Sequence, residues 1–313
     1  MQPAGGVCHA ELTGDPRERR GARNERAPHR DEDGARGAIE VGFIERIAEL
    51  GIPIDFVVGT SVGALNAAHV AFHMDSGHDC LRDIWRGLSG QKLVHRSLWR
   101  IARNLRHSRL SLYDHRFVAD LVSKHLRGDD FRHAGIPLYV TSTNRRTGER
   151  AILSEGPLSR AILASTAIPG VFPPVEIDGD LHVDGGVSNG LDIDAAVELG
   201  ATHIIAMDPR ATLSTRNPGN VIEVVTRSLE ILTEARSVCS TEHRAHAASV
   251  VHIRPGISLG SSWNFDGVEE ILAASYRMAC AIFDECWDGR ALIAGHYHPE
   301  TLTGPPASLA GTG

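Results

Sequence analysis

The residues Gly59-Thr60-Ser61-Val62-Gly63 have the types and spacing of a serine nucleophile held on a sharp turn. An apolar stretch, Ile54 to Val58, leads into them, and an alanine-rich stretch, Ala64 to Phe72, follows. In a strand-to-helix turn of this kind the serine hydroxyl projects from the sheet edge. Gly59 and Gly63, two residues to either side, keep Cβ atoms out of the crowded bend. The helix starting beneath the serine offers free N–H groups and the positive end of its dipole to developing negative charge. The chemistry is attack by a hydroxyl, which needs a base. Asp184 is the candidate, at the end of the short apolar strand Leu181-His182-Val183 and before Gly185-Gly186, which permit a tight loop. An aspartate in that position also fits a simple turn cap, and both readings stay open. His182 shares a strand face with Asp184 and is a candidate third member, although a chain with 17 histidines offers chance neighbours freely.

The elements that must position these groups alternate along the chain. Ile39, Phe43, Ile44, Ile47 and Leu50 fall at helical spacing, with Gly51 as a stop. A strand over Ile54–Val58 and a helix over Val62–His73 flank the serine. Strands are predicted over Ile136–Thr143 and Arg150–Ser154, separated by the turn Asn144–Gly148. A helix over Leu158–Ser165 stops before Pro169, and Val175–Val183 reads as a hairpin. Asp194–Gly200 reads as a helix, Thr202–Asp208 and Ser249–Pro255 as strands, and Val221–Val238 and Val268–Trp287 as long amphipathic helices. This alternation predicts one α/β domain with helices on both faces of a mainly parallel central sheet. We expect the domain to span residues 34–290, preceded by a disordered segment, 1–33, and followed by a tail, 291–313. Residues Gly14–Asp33 carry dense mixed charge and almost no apolar content, too little to offset the entropy of ordering.

Composition excludes several functions. A net charge of −7 argues against a nucleic-acid partner. The cysteines, Cys8, Cys80, Cys239, Cys280 and Cys286, include no Cys-x-x-Cys pair and read as reduced thiols, so no metal site is expected. No apolar run reaches membrane-spanning length, and the first residues lack the apolar core of a secretory leader. The expectation is a cytoplasmic protein, peripheral at a membrane if it meets one.

Several segments together resemble the patatin-like phospholipase family in its bacterial form: Gly34–Ile52, Val57–Ala68, Ser111–Asp114, Ala161–Gly179, His182–Ala201 and Ile253–Asp266. The resemblance implies a three-layer α/β/α domain and a Ser-Asp dyad in place of a triad. Ser61 would attack an acyl-lipid ester, and Asp184 would take its proton and later activate water, through an acyl-enzyme and with no cofactor. It also implies an oxyanion loop of the form Gly-Gly-Gly-x-Arg-Gly after a first buried strand. This chain reads Glu32-Asp33-Gly34-Ala35-Arg36-Gly37. Gly34, Ala35, Arg36 and Gly37 match, two acids replace the first glycines, and no apolar strand precedes them. Loss of one oxyanion donor typically costs about 3 kcal/mol of barrier. Either another segment, around Gly5–Leu12, fills the strand position, or this N-terminus does not supply it.

The stretch 92–109 holds Lys92, Arg96, Arg100, Arg103, Arg106 and Arg109 without an acid, and Leu98, Ile101 and Leu105 share one helical face beside Trp99. Such a helix suits an anionic membrane surface, and equally a cap helix with its arginines in water. Two rival functions stand beside the dyad hydrolase. One is a Ser-His-Asp esterase using His203, His243, His246 or His252. The other is a catalytically impaired lipid-binding protein, motivated by the altered glycine loop.

Overall fold

The computed structural model describes residues 36–73, 79–89, 111, 113–126, 128–209, 224, 227–228, 231, 247–257 and 267–299. Gly34, Ala35, the basic stretch 92–109 and most of the helix expected over Val221–Val238 lie outside these residues.

The chain order is helix α1 (Arg36–Glu49), strand β1 (Val57–Thr60), α2 (Val62–His73), α3 (Asp79–Gly87), α4 (Arg116–His125), β2 (Leu138–Asn144), β3 (Arg150–Leu153) and α5 (Leu158–Ser165). It continues with β4 (Val175–Ile177), β5 (Asp180–Asp184), α6 (Ile193–Glu198), β6 (His203–Met207), β7 (Ser249–Ile253), α7 (Val268–Cys286) and β8 (Gly295–Tyr297). The helical spacing read in α1 is the spacing that is buried: Ile39, Phe43 and Ile47 lie in the core, with Ile44 and Leu50 packed against it. Gly51 ends the helix with a left-handed φ of 64°, and the N–H of Ile52 donates to the Ile47 carbonyl.

One sheet runs β1-β2-β5-β4, with β3 also on β2; a second runs β6-β7-β8. β1 and β2 are parallel with Val57 opposite Leu138, and β6, β7 and β8 are parallel throughout. β3 and β5 lie antiparallel on β2, and β4 lies antiparallel on β5. The ladder is therefore mixed, not mainly parallel as expected. For β3 on β2 and β5 on β4 the cause is connection length: a parallel return needs a dozen residues or more, whereas these strands follow short turns. The β4–β5 turn is Asp178-Gly179, both with positive φ (50° and 86°), which matches the right-handed twist of a hairpin. The C-terminal boundary also moves. β8 pairs with β7 beyond residue 290, so part of the expected tail is sheet. Its Gly-His-Tyr sequence has no strand signature, and pairing alone makes it a strand.

Helices cover both faces. Ile205 and Met207 of β6 turn towards α1, α3 and α7, while Ile204 and Ala206 pack with Ile193 and Ala196 of α6. Around β1 and β2, Val140 and Leu138 pack on α2, α4 and α5. Among the described residues, no helix is long and apolar enough to cross a membrane.

Candidate active site

Ser61 sits between the last residue of β1 and the first of α2. Its φ is 54°, a left-handed conformation that costs a non-glycine residue about 1–2 kcal/mol. Two contacts hold it there. Its N–H donates to Ser165 Oγ (2.8 Å) at the end of α5, and its carbonyl accepts from Ala64 N–H (3.0 Å) in the first turn of α2. The two flanking glycines are not equivalent. A Cβ on Gly59 would lie 2.6 Å from Ala64 Cα and 2.7 Å from the Gly63 carbonyl oxygen. A Cβ on Gly63 would meet Glu40 Oε1 at 3.5 Å, an ordinary contact. Gly59→Ala is therefore expected to destabilise the elbow by about 1–3 kcal/mol, whereas Gly63→Ala leaves melting within about 0.5 kcal/mol of the wild type. Differential scanning calorimetry of the two variants checks this.

Asp184, at the end of β5, is buried. Its two oxygens do different things. Oδ2 accepts from Ser61 Oγ at 2.7 Å, and Oδ1 accepts from the Gly186 N–H at 2.8 Å. One side chain thus both caps the turn after β5 and faces the Ser61 hydroxyl. Burial pushes its carboxyl up to about 6, partly opposed by the bonds from Ser61 and Gly186. Gly185 has to be glycine: a Cβ there would lie 2.7 Å from the Thr141 carbonyl oxygen. His182 points elsewhere, its Nδ1 bonding Ser142 Oγ at 2.8 Å. Among the described residues no histidine hydrogen-bonds Ser61 or Asp184; His252 lies beside Asp208 and His296.

The family model for patatin-like phospholipases matches residues 34–197, which contain this serine, this aspartate and every element that joins them. The chain belongs to the patatin-like phospholipase family. It is 29% identical over 289 residues to Lysophospholipase NTE1 of Pyricularia oryzae, covering 83% of this chain and 18% of that protein. It is 25% identical over 276 residues to Patatin-like phospholipase domain-containing protein 7 of Mus musculus, covering 80% and 20%. The chain thus spans about a fifth of the length of these curated relatives. A crystal structure of VipD from Legionella pneumophila aligns at a TM-score of 0.39 and 16% identity, over 82% of this chain and 67% of that one.

Three inward-facing polar groups of this patatin-like domain, Asn66 buried and Glu40 and Asp192 half-buried, escaped sequence reasoning. Asn66, in the apolar run of α2, donates from Nδ2 to the Gly37 carbonyl (2.9 Å) and to Glu40 Oε2 (2.8 Å) and accepts from Trp85 Nε1 (3.0 Å). It ties the start of α1, and so Arg36 and Gly37, to the helix under Ser61. A Cβ on Gly37 would collide with Trp85 and Val62, so this end of α1 lies against the elbow. Burial raises Glu40 to about 7, partly offset by the Asn66 bond. Asp192 accepts from Thr141 Oγ1 (2.6 Å) and from Thr60 Oγ1, with Arg150 Nη1 3.6 Å from its other oxygen. It joins β1 and β2 one residue before Ser61. The signal available was polarity out of place: an Asn and a Glu interrupting apolar helical faces.

A cavity of about 780 Å³ opens at the site, with Ser61, Asp184, Arg36 and Glu40 in its wall. Ile168, Phe172, and Phe117, Val118 and Leu121 of α4 also line it. The basic stretch 92–109 lies outside the described residues, so the structure leaves its membrane reading where the sequence put it. Among the described residues no cluster of His, Cys, Asp or Glu is arranged to hold a metal ion.

Proposed function

We propose that this protein is a lipid acyl hydrolase that uses a Ser-Asp dyad, Ser61 as nucleophile and Asp184 as base. The observation that carries the reading is the 2.7 Å bond from Ser61 Oγ to a buried carboxylate, with no histidine interposed among the described residues. Asp184 removes the serine proton as Oγ attacks the ester carbonyl and passes it to the departing alkoxide, which leaves as the alcohol, giving an acyl-enzyme. The carboxylate, freed of its proton, then takes one from water as the water attacks the acyl carbonyl, and returns it to Ser61 Oγ as the acid leaves. Negative charge on the carbonyl oxygen faces the N-terminus of α2 and the start of α1 at Arg36 and Gly37. The apolar wall beside Ser61 suits an acyl chain, and the names of the relatives point to phospholipid or lysophospholipid esters. Contact of residues 92–109 with anionic membrane remains part of the proposal.

A fluorophosphonate tests it on the intact chain: Ser61 Oγ bonds to phosphorus as fluoride leaves. Mass spectrometry should find the adduct on Ser61, together with turnover of a short-chain ester and of a lysophospholipid. A folded protein that takes no label and turns over neither ester would instead fit the impaired, lipid-binding reading. The pH dependence has a definite sign. The base works only when deprotonated, and burial raises Asp184 to about 6. Labelling rate and kcat/KM should therefore fall about tenfold per pH unit below that value and level off above it. A profile flat from pH 4.5 to 8 would remove Asp184 as the base.

A further inference from the structure

The acids in the cavity wall are Glu40, Asp55, Asp184, Asp192 and Asp208. All but the first are accounted for. Asp55 is exposed, and Asp184 holds Ser61 and Gly186. Asp192 meets Thr60, Thr141 and Arg150, and Asp208 Oδ2 accepts from Arg254 Nε and Nη2. Glu40 is half-buried, and its partners fix which of its oxygens is committed. The Trp85 indole can only donate, so the Asn66 side-chain oxygen faces Trp85 Nε1 (3.0 Å). The Asn66 amide nitrogen then faces the Gly37 carbonyl (2.9 Å) and Glu40 Oε2 (2.8 Å). Oε2 must accept, and Oε1 takes no hydrogen bond among the described residues. Oε1 stands over the first turn of α2: a Cβ on Gly63, two residues after Ser61, would lie 3.5 Å from it.

We propose that Glu40 Oε1 binds a free hydroxyl group of the substrate, close to the ester bond that Ser61 attacks. The assignment rests on the acyl-hydrolase reading of Ser61 and names the kind of ester that site takes. The carboxyl itself selects a hydroxyl. Burial holds Glu40 at about 7, so both of its forms are present near neutral pH. In the neutral acid the proton sits on Oε1, because Oε2 is accepting from Asn66. The acid therefore donates into the cavity, whereas the carboxylate accepts from it. An ammonium group suits only the carboxylate, and a phosphate or ester oxygen suits only the acid. A hydroxyl donates and accepts, so it bonds either form. A site that bonds a hydroxyl discriminates against the same molecule without one, because the inward polar group is left unpaired. Two kinds of ester carry this chemistry: one with the hydroxyl on the alcohol, beside the ester oxygen, and one with it on the acyl chain, beside the carbonyl.

The test uses the full chain and two matched pairs of esters. 2-Hydroxyethyl decanoate against propyl decanoate places the hydroxyl on the alcohol, and propyl 3-hydroxydecanoate against propyl decanoate places it on the acyl chain. The wild type should prefer the hydroxylated ester of one pair in kcat/KM, and Glu40→Leu should lower that preference at least about tenfold. Comparing proteins cancels the intrinsic reactivity of the esters, and the pair that responds tells where the hydroxyl lies. Glu40→Gln should keep the preference within about threefold, because its carbonyl accepts from Asn66 and its N–H group meets the hydroxyl as the neutral acid does. Glu40→Met repeats the test should the leucine variant fail to fold. A preference equal in wild type and Glu40→Leu for both pairs would overturn the proposal. So would a loss in Glu40→Gln as large as in Glu40→Leu, which would leave Glu40 a packing partner of Asn66. Fluorophosphonate labelling separates this from a failure of the dyad: an unlabelled Ser61 sinks the hydrolase reading and this assignment with it, whereas a labelled Ser61 without a Glu40-dependent preference sinks this assignment alone.

Discussion

Ser61→Ala is expected to lower kcat/KM for ester hydrolysis by on the order of 10⁴-fold or more, and Asp184→Asn by nearly as much. Alanine removes the atom that attacks. Asparagine keeps the size of the carboxylate and its carbonyl can still accept from the Gly186 N–H, so the turn after β5 survives. Its amide, however, takes no proton, and facing Ser61 Oγ it donates where the carboxylate accepted. Because the two residues act as a unit, the double variant should be no slower than Ser61→Ala alone. Both variants should melt close to the wild type, since Asp184 is already held in a form that burial disfavours when charged. His203→Ala and His252→Ala should each retain activity within about threefold, as neither contacts the pair. An Asp184→Asn enzyme that keeps a tenth of its rate, beside a dead histidine variant, would return the site to a Ser-His-Asp triad.

The second large effect falls far from the chemistry. Gly42→Ala should destabilise the fold by about 3 kcal/mol and lower Tm by roughly 6–12 °C. Gly42 is buried where α1 crosses α7, and a Cβ there would lie 2.3 Å from Tyr276 N and 2.6 Å from Ser275 C. These are backbone atoms of the facing helix, which cannot swing away as a side chain would. The helices would have to part, opening the cluster that holds Phe43 and Phe283. Alanine favours a helix over glycine by up to about 1 kcal/mol, so a fall in Tm would show that packing outweighs propensity. Gly87→Ala is the control: nothing lies within 4 Å of its Cβ position, and its Tm should hold or rise. Equal Tm values for the two variants would mean that α1 and α7 are not pressed together at Gly42.

What the sequence by itself determined was local. Strand before Ser61, helix from Val62 to His73, the stop at Gly51 and the hairpin at Asp178-Gly179 each follow from periodicity or from a residue whose backbone preference is strong; the structure has the helix, the stop and the hairpin where expected, and the strand over Val57–Thr60, later than the Ile54–Val58 read from the apolar run. The Gly-x-Ser-x-Gly and Asp-Gly-Gly motifs were also legible as types, although the structure makes only Gly59 and Gly185 of their glycines sterically necessary. Tertiary structure alone decided the rest. That Ser61 Oγ and Asp184 Oδ2 lie 2.7 Å apart depends on β2 pairing with both β1 and β5, over 123 residues of chain. The turn into α2 decided that Gly59 is sterically required and Gly63 is not, and the packing of α1 and α3 on α2 and of β1 on β2 made inward-facing partners of Asn66, Glu40 and Asp192. Pairing with β7 made a strand of Gly295–Tyr297. Periodicity records which face of an element is apolar; it carries no record of which element lies against that face, because packing and hydrogen bonding between distant segments set register, burial and pKa only once the chain has closed on itself.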